Sequence, residues 1–329
     1  MNTVAILVAA YNAAATLPRC LDSLCSQTLH DIQIICIDDC STDSTYSLLC
    51  QRASADPRIT VLQTDVNSGH AVARNLGLRV ADAEFACMLD ADDWMSADCL
   101  EKAVSVFRAH KETDTVVLRL IKYYEDEQRE EDYGLPAELL DGAAIDGMKA
   151  FRLCMDAWHL HGLYVTRLEL LRRIPYDATT RLYSDDNTTR LHYLHSREVR
   201  ACDGIYYYSR HPEAATILFH YGRFDFMEAL FTLKVALRKE HIPADVMSAF
   251  EGERWYNYLA CYRLYLTHKT ELTAGQQSEL KERFSTMLHT FRPSALKRRY
   301  RWKPGYWLTL SLPLFDMQQR AYLLFRPQR

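Results

Sequence analysis

Residues 32–43 read Ile32-Gln33-Ile34-Ile35-Cys36-Ile37-Asp38-Asp39-Cys40-Ser41-Thr42-Asp43. The first half is largely apolar and rich in β-branched residues, which predicts a strand. A continuous apolar run of this kind is typical of a parallel sheet covered on both faces. The acidic and hydroxyl residues that follow predict a polar loop. This stretch therefore indicates an α/β fold in which a buried strand delivers two carboxylates to a sheet edge.

The same pattern occurs on either side of this strand. Residues 4–10, 59–62 and 85–89 are further apolar runs. Apolar residues at helical spacing follow the runs at 4–10, 32–37 and 59–62. Strands that alternate with helices over short connections predict a doubly wound, mostly parallel, Rossmann-like sheet. Ligands bind beyond the carboxyl ends of such strands. We therefore expect the acidic residues 38–39 and 90–93 to meet at one edge.

Asp90-Ala91-Asp92-Asp93 places three carboxylates side by side at a predicted strand end. Unpaired carboxylates this close resist ionisation, and a hard cation such as Mg²⁺ or Mn²⁺ relieves their repulsion. A second interpretation is that Asp92 or Asp93 caps a helix predicted over residues 97–107. The residues alone leave both interpretations open.

Two other polar clusters also allow two interpretations. A carboxylate at Asp38 or Asp39 would accept a hydrogen bond from a base or a ribose, or would shape a turn before the helix that begins near Thr45. Gly69 permits a turn with positive φ. Arg74 would bind a phosphate, or would be a surface cation on a helix.

Five segments in this order resemble family 2 glycosyltransferases, which are inverting enzymes with the GT-A fold: residues 8–12, 26–28, 37–43, 67–77 and 88–94. The resemblance implies that Asp39 contacts the base with Asp38 alongside, and that Ala9 and Tyr11 line the nucleoside pocket. It places Asp90 near the ribose and a Mg²⁺ or Mn²⁺ ion, with Asp92 as the principal metal ligand. Gly69 and Arg74 belong to the fourth segment as substrate-binding residues. Cys40 departs from the family, which commonly has a small residue such as glycine there.

The resemblance also implies a general base, because inversion requires a group that takes the proton of the attacking hydroxyl. Residues 183–191 match the acidic pair of the family, with Asp186 as the base and Asp185 as its neighbour. Capping of a following helix is the alternative. More loosely, Trp158 resembles a residue of the sugar and acceptor pocket, and His211 one that approaches the diphosphate.

The resemblance implies transfer of a sugar from a nucleoside-diphosphate donor, UDP by family preference, to a glycan or lipid-linked acceptor in surface polysaccharide or glycolipid assembly. A catalytically inactive, sugar-nucleotide-binding or scaffold homologue is the alternative, which the retained Asp39, Asp92 and Asp186 disfavour. A nucleotidyltransferase would have a glycine-rich basic loop after the first strand. An NAD-dependent dehydrogenase would have GxGxxG there. This chain has Ala9-Ala10-Tyr11-Asn12 instead.

Composition sets further expectations. A formal charge of −4 does not suggest a nucleic-acid partner. Ten scattered cysteines without metal-ligand spacing favour a reducing cytoplasm, and no secretory signal or transmembrane stretch is seen. We expect a catalytic domain over 1–220, with a nucleotide-sugar half over 1–110 and an acceptor half over 111–220. Residues 125–132 should form a solvated acidic loop.

Residues 221–329 are expected to be mainly helical. Their last part, residues 292–329, combines basic residues with aromatic residues and leucines. Such a segment suits peripheral contact with an anionic membrane at the inner face of the cell membrane. A helix docked on the catalytic domain and an oligomer contact are the alternatives.

Overall fold

The computed structural model describes residues 2–155, 158–210, 219–292, 296, 305–307 and 309–325. The chain divides into two compact units, Met1–Leu218 and Phe219–Arg329. The division predicted from the sequence, including the two halves of the catalytic domain, stays a prediction.

The first unit is built on one mixed sheet. Its described strands are β1 (Asn2–Ala10), β2 (Ile32–Asp38), β3 (Ile59–Gln63), β4 (Ala83–Met88), β5 (Trp94–Met95), β6 (Thr113–Tyr124), β7 (Arg129–Asp132), β8 (Tyr164–Arg167) and β9 (Glu198–Arg210). They lie in the order β3-β2-β1-β4-β8-β6-β9-β5, and β7 pairs with β6. The α/β class and the GT-A type of sheet predicted from the sequence are confirmed.

Strand direction brings the loops of the first half to one edge. β1 pairs in parallel with β2 and β4, β2 pairs in parallel with β3, and β6 pairs in parallel with β9. β8 is antiparallel to both β4 and β6, so β4 and β6 share a direction. The carboxyl ends of β1, β2 and β4 therefore meet at the same edge, as the sequence predicted.

The helices of this unit are α1 (Leu17–Cys25), α2 (Thr45–Ala55), α3 (His70–Val80), α4 (Cys99–Ala109), α5 (Gly147–Met155), α6 (Leu168–Arg173) and α7 (Ser184–Leu194). Alternate residues of β1 face two different cores: Val4, Ile6 and Val8 belong to one, and Ala5 and Leu7 to the other. Both faces of the sheet are thus covered, which is why β1 reads as a continuous apolar run.

α3 packs unusually close to the sheet. A Cβ added at Gly77 would stand 2.9 Å from side-chain carbons of both Leu7 and Ile37. Only glycine allows this approach, and it brings the first turns of α3 to the edge where β1 and β2 end. The fold in this way sets the position of Arg74, which lies on α3.

Two local predictions were wrong. Residues 125–132 are not wholly a loop, because β7 pairs antiparallel with β6, and Lys122 compensates Glu131 with an ion pair of 3.1 Å. A run rich in acidic residues predicts a solvated loop, but a charged edge strand has the same composition. The helix predicted over 97–107 is α4, which begins at Cys99 with Asp98 at its N-cap position. The interpretation of Asp92 or Asp93 as its cap is therefore wrong.

The second unit is helical, as predicted. Its described helices are α8 (Asp225–Leu237), α9 (Ala244–His268), α10 (Ala274–Leu288) and α11 (Leu312–Phe325). Aromatic side chains fill its core, with Trp255 stacked on Tyr258 and both rings close to Phe315 of α11. α11 thus docks within this unit by one of its faces.

Candidate active site

Asp39 organises the turn between β3 and α3. Its carboxylate accepts hydrogen bonds from the backbone N–H groups of Ser68 (2.9 Å) and Gly69 (2.7 Å) and from the Thr64 hydroxyl (2.8 Å). Three of about four lone-pair positions of the carboxylate are therefore occupied by the protein. The turn interpretation and the ligand interpretation of this residue are compatible, and contact with a base stays a prediction.

Asp38 lies beside it at the end of β2, fully buried. Its Oδ2 accepts from the Ser41 N–H and the Gln63 amide, but Oδ1 is buried without a hydrogen-bond partner in the described part of the chain. A buried carboxylate oxygen in this state is energetically costly.

The loops after β1 and β2 are tied together next to this pair. Asn12 accepts a hydrogen bond from the Thr42 N–H at 2.8 Å, and its own N–H donates to the Ser41 hydroxyl at 2.9 Å. Asn12 and Cys40 both have positive φ, 49° and 59°. The conformation of Cys40 gives the physical reason for glycine at this position in the family, since the left-handed region costs other residues energy. Tyr11, 48% exposed, and Ala9, partly buried, lie on the same edge.

Gly69 is the N-cap residue of α3 and has a φ of 90°, as its predicted turn requires. A Cβ at this position would meet the Cγ of Arg181 at 3.2 Å. The Arg181 guanidinium donates to the Asn67 side-chain oxygen at 2.5 Å. The segment before α7 therefore lies directly on the turn that Asp39 holds.

The loop from Asp90 to Asp93 is fixed mainly through Asp93. This carboxylate is buried and accepts from the Tyr206 hydroxyl at 2.7 Å and the Ser209 N–H at 2.7 Å. Burial, together with the charges of Asp92 and Asp90, raises the pKa of the Asp93 carboxyl well above its usual range. Asp93 thus anchors the loop to β9, while the Asp90 side chain is 37% exposed.

Arg19 fixes the same loop from the other side. Its guanidinium donates to the backbone carbonyl of Asp92 at 3.1 Å, pairs with Glu125 at 2.7 Å and lies 3.8 Å from the centroid of the Trp94 ring. Trp94 in turn stacks on Tyr207 of β9. These contacts hold the backbone that carries Asp92.

Arg74 joins the two predicted acidic sites. The side chain is only 3% exposed; its Nη2 lies 2.5 Å from Asp90 Oδ1, and its Nη1 lies 3.8 Å from Asp185 Oδ2. Asp90 and Asp185 are 95 positions apart in the sequence, so α3 and α7 meet at this guanidinium. The interpretation of Arg74 as a surface cation is wrong.

Asp185 has a second neighbour, the His70 ring. His70 Nε2 lies 3.7 Å from Asp185 Oδ1. Burial by itself would raise the pKa of the Asp185 carboxyl. The contact with His70 and the charge of Arg74 outweigh burial, and the pKa of the Asp185 carboxyl lies well below the usual range. Asp185 is therefore held as a carboxylate.

Asp186 follows it in the first turn of α7 and is partly buried. Tyr183, at the N-cap position of this helix, has a left-handed φ of 66°. One helical turn beyond Asp186, the fully buried Arg190 lies with its guanidinium carbon 4.5 Å from the Trp158 ring centroid. Trp158 itself has a φ of 55°. Strained residues of this kind concentrate at functional sites.

The arrangement fits a divalent cation of a particular type. Among the described residues no group of three or more His, Cys, Asp or Glu side chains is arranged to hold a metal. Mg²⁺ is commonly held by one or two carboxylates together with substrate phosphates rather than by an all-protein cage. Asp90 and Asp92, predicted from the sequence to be metal ligands, would be the carboxylates of such a site, and this stays a prediction.

Several residues of the site were not singled out from the sequence: His70, Arg19, Glu125, Tyr206 and Arg181. Tyr206 is a buried residue of β9, and its hydroxyl donates a hydrogen bond to Asp93. A buried position for a polar ring could have indicated this, since buried tyrosine hydroxyls seek partners. His211 lies outside the described residues.

Comparison with known proteins agrees with this geometry. The sequence model of glycosyl transferase family 2 matches residues 5–164. The chain therefore carries a glycosyl transferase family 2 domain, and the family predicted from the order of the motifs is confirmed.

Two curated relatives illustrate the match. The succinoglycan biosynthesis protein ExoO of Rhizobium meliloti is 36% identical over 101 residues, 31% of this chain and 28% of that protein. The Escherichia coli UDP-Glc:alpha-D-GlcNAc-diphosphoundecaprenol beta-1,3-glucosyltransferase WfaP is 32% identical over 124 residues, 38% of this chain and 47% of WfaP. The matched part spans 28–42% of the length of ExoO and two other curated relatives.

Solved structures extend the likeness of the fold to nearly the whole chain. Residues 1–349 of S. aureus TarS in complex with UDP-GlcNAc align with a TM-score of 0.74 and 17% identity, over 99% of this chain and 93% of that one. The mannosyltransferase PcManGT of Pyrobaculum calidifontis in complex with GDP-Man and Mn²⁺ aligns with a TM-score of 0.56 and 17% identity, over 99% of this chain and 88% of that one.

Proposed function

We propose that the protein is an inverting glycosyltransferase that moves a sugar from a UDP-sugar to an acceptor hydroxyl in surface polysaccharide or glycolipid assembly. The observation that carries the proposal is the Arg74 guanidinium, which joins Asp90 of the predicted metal motif to Asp185 of the predicted acidic pair. An inverting transferase needs these two sites next to each other, because donor and acceptor must react in one pocket.

Each part of the edge has its task in this proposal. Asp38 and Asp39 bind the nucleoside, with Ala9 and the exposed ring of Tyr11 beside it. Asp90 and Asp92 would hold a Mg²⁺ or Mn²⁺ ion, which would supply positive charge next to the diphosphate of the donor. Gly69 leaves room for the backbone to approach the donor. His211, although outside the described residues, stays a candidate for the diphosphate.

Asp186 takes the proton of the acceptor hydroxyl as the anomeric carbon is attacked from the face opposite the diphosphate. Asp185 is unsuited to this step, because His70 and Arg74 hold its pKa well below its usual range and thus make it a weak base. Its task is to fix the first turn of α7 against Arg74. Trp158 belongs to the acceptor side.

The relatives support the finer points. WfaP is named for UDP-Glc and a diphosphoundecaprenol-linked acceptor, and TarS was crystallised with UDP-GlcNAc. We include a nucleoside diphosphate donor, a lipid-linked or glycan acceptor and a cytoplasmic location of this chain in the proposal. An inactive scaffold homologue remains the rival, and it predicts no turnover.

A donor screen tests the proposal. UDP-, GDP- and TDP-sugars are assayed with and without Mn²⁺ by thermal shift and by nucleotide release, on wild type, Asp92→Ala and Asp186→Asn. We expect one donor to stabilise the wild type with metal, Asp92→Ala to lose that effect, and Asp186→Asn to keep it while sugar transfer falls about 10²- to 10⁴-fold. No response of the wild type to any donor contradicts the proposal.

A membrane surface is the further partner that we propose, through residues 292–329. This segment has nine of the 39 Lys and Arg residues and one of the 43 Asp and Glu residues, so its net charge is +8 while the rest of the chain carries −12. In α11 the side chains of Leu314, Met317 and Leu324 are 55%, 64% and 83% exposed and share one face of the helix. No helix in the described ranges is both long and apolar enough to cross a bilayer.

Vesicle binding distinguishes this partner from an oligomer contact. Leu314→Ser, Met317→Ser and Leu324→Ser are combined, and Val235→Ser, an exposed apolar position of α8, is the control. We expect the triple variant to leave phosphatidylglycerol vesicles in flotation while the control stays bound. Equal flotation of all variants would contradict membrane contact. A change of oligomeric state in the triple variant would favour the oligomer contact.

A further inference from the structure

A cavity in the first unit lies outside the residues assigned above, except for Trp158, whose ring contacts Arg190 of α7. Its volume is about 480 Å³. Two segments line it, Tyr133–Glu138 after β7 and Trp158–His159, together with Leu153 of α5. A volume of this size lies within the range of small-molecule sites, roughly 300–1,000 Å³.

The first segment is held by its ends. Asp132 accepts a hydrogen bond from the Gly134 N–H at 2.9 Å, and Gly134 has a φ of 80°. Glu138 pairs with Lys149 of α5 at 2.8 Å, which fixes the far end of the segment to that helix. The wall of the cavity is therefore anchored on both sides.

The second lining segment, Trp158–His159, has a strained backbone at Trp158 that several contacts hold in place. Trp158 holds a left-handed φ of 55°, where a bulky side chain is an outlier. Its carbonyl accepts the Tyr133 hydroxyl at 2.5 Å, and its ring packs against the buried guanidinium of Arg190. A conformation this costly persists only where the surroundings over-determine it, as at ligand sites.

The lining specifies the chemistry of a ligand. Its rings are Tyr133, Trp158 and His159, its aliphatic members include Leu135, Pro136 and Leu153, and Glu138 is its carboxylate. No lysine or arginine is among the described lining residues, and the carboxylate of Glu138 disfavours an anionic ligand. Apolar rings that pack on C–H faces, with a few polar groups that orient hydroxyls, fit an uncharged sugar ring.

We propose that this cavity binds a non-reacting sugar residue of a glycan acceptor and so sets acceptor specificity. The identification of this sugar as part of an acceptor rests on the proposed function. The link to the reaction is α7: Arg190, under the Trp158 ring, stands four residues after Asp186 on the same helical face. A sugar held against Trp158 would orient the neighbouring residue of the glycan toward Asp186.

Saturation-transfer NMR with methyl β-glucoside, methyl β-N-acetylglucosaminide and cellobiose as probes tests the cavity. Ala137→Trp fills it from an exposed lining position, and Ala143→Trp places the same ring at an exposed position outside it. His159→Ala, with exposed His110→Ala as its control, removes one lining ring without adding bulk.

We expect at least one probe to bind the wild type, Ala137→Trp to weaken that binding about tenfold or more, and His159→Ala to weaken it less, with both controls unchanged. Donor-induced thermal shifts should be unaltered in all four variants. Failure of every probe to bind the wild type, or equal binding by Ala137→Trp and Ala143→Trp, would overturn the proposal. Sugar binding that Ala137→Trp abolishes, in a protein that no sugar nucleotide stabilises, would support the cavity and refute the proposed function.

Discussion

Substitution of Arg74 by methionine should destabilise the protein, because two carboxylates lose their cationic partner. Methionine keeps much of the buried volume but removes the charge that Asp90 and Asp185 share. Loss of one partner of a fully buried ion pair costs about 3–5 kcal/mol. Because the Asp90 and Asp185 side chains are 37% and 34% exposed, water can compensate part of this cost. We therefore expect the free energy of unfolding to fall by about 2 kcal/mol.

Urea unfolding at pH 7.5 measures the change, with Arg79→Met as the control, since Arg79 lies on the same helix and is exposed. That control should stay within about 0.5 kcal/mol of the wild type. Arg74→Lys should lose about 1 kcal/mol, because an ammonium cannot bridge two carboxylates as a guanidinium fork does.

A double-mutant cycle with Asp185→Asn isolates the link between α3 and α7. If Arg74 and Asp185 interact as the distances indicate, their coupling energy should reach about 0.5–1.5 kcal/mol. A coupling near zero, or a stability of Arg74→Met equal to that of Arg79→Met, would refute the account of Arg74 as the joint between the two acidic sites.

Three further outcomes follow from single residues. Cys40→Gly should raise the free energy of unfolding, measured in urea, by up to about 1 kcal/mol. The energy that Cys40 spends on a left-handed φ of 59° exceeds the cost of the entropy that glycine adds to the unfolded chain. A loss of stability would contradict this. Asp39→Ala should cost about 2 kcal/mol and speed hydrogen exchange at the Ser68 and Gly69 amides, which lose their acceptor; unchanged exchange would contradict it. Burial lowers the pKa of His192 to about 4, so the unfolded state binds the extra proton between pH 6.5 and 4, and stability falls as the pH falls through that window. Between pH 7.5 and 5, the free energy of unfolding of His192→Gln should fall by about 2 kcal/mol less than that of the wild type. Equal pH dependence of the free energy of unfolding in the two proteins would contradict this.

The sequence predicted the first half of the sheet because each signal there is local. The buried strands β1, β2 and β4 are apolar runs, and the polar loops after β2 and β4 stand next to them in the chain. Parallel pairing then requires their ends to meet at one edge. The short strand β5 and the charged strand β7 escaped prediction, because two residues carry no periodicity and an acidic edge strand resembles a solvated loop.

The joint at Arg74 could not be predicted for a different reason. An arginine in the middle of an amphipathic helix is usually exposed, and nothing near Arg74 in the sequence indicates the carboxylate of Asp185, 111 positions later. The close packing of α3 on the sheet at Gly77 is what buries the guanidinium. Such a contact is a consequence of tertiary packing, and only the folded chain shows it.

The proposed donor-binding residues and the cavity at Tyr133–Glu138 differ in how many contacts within the protein depend on them. On the proposed donor side, Asp39, Asp93 and Arg74 each bind several backbone or side-chain groups, so a substitution there would disturb the loops as well as ligand binding. This side falls within the segment that matches the family, residues 5–164. The wall at Tyr133–Glu138 also falls within that match, but exposed lining residues such as Ala137 can change without breaking a network. We therefore expect donor chemistry to be shared widely among relatives, while substitutions in this cavity change the acceptor at little cost to stability.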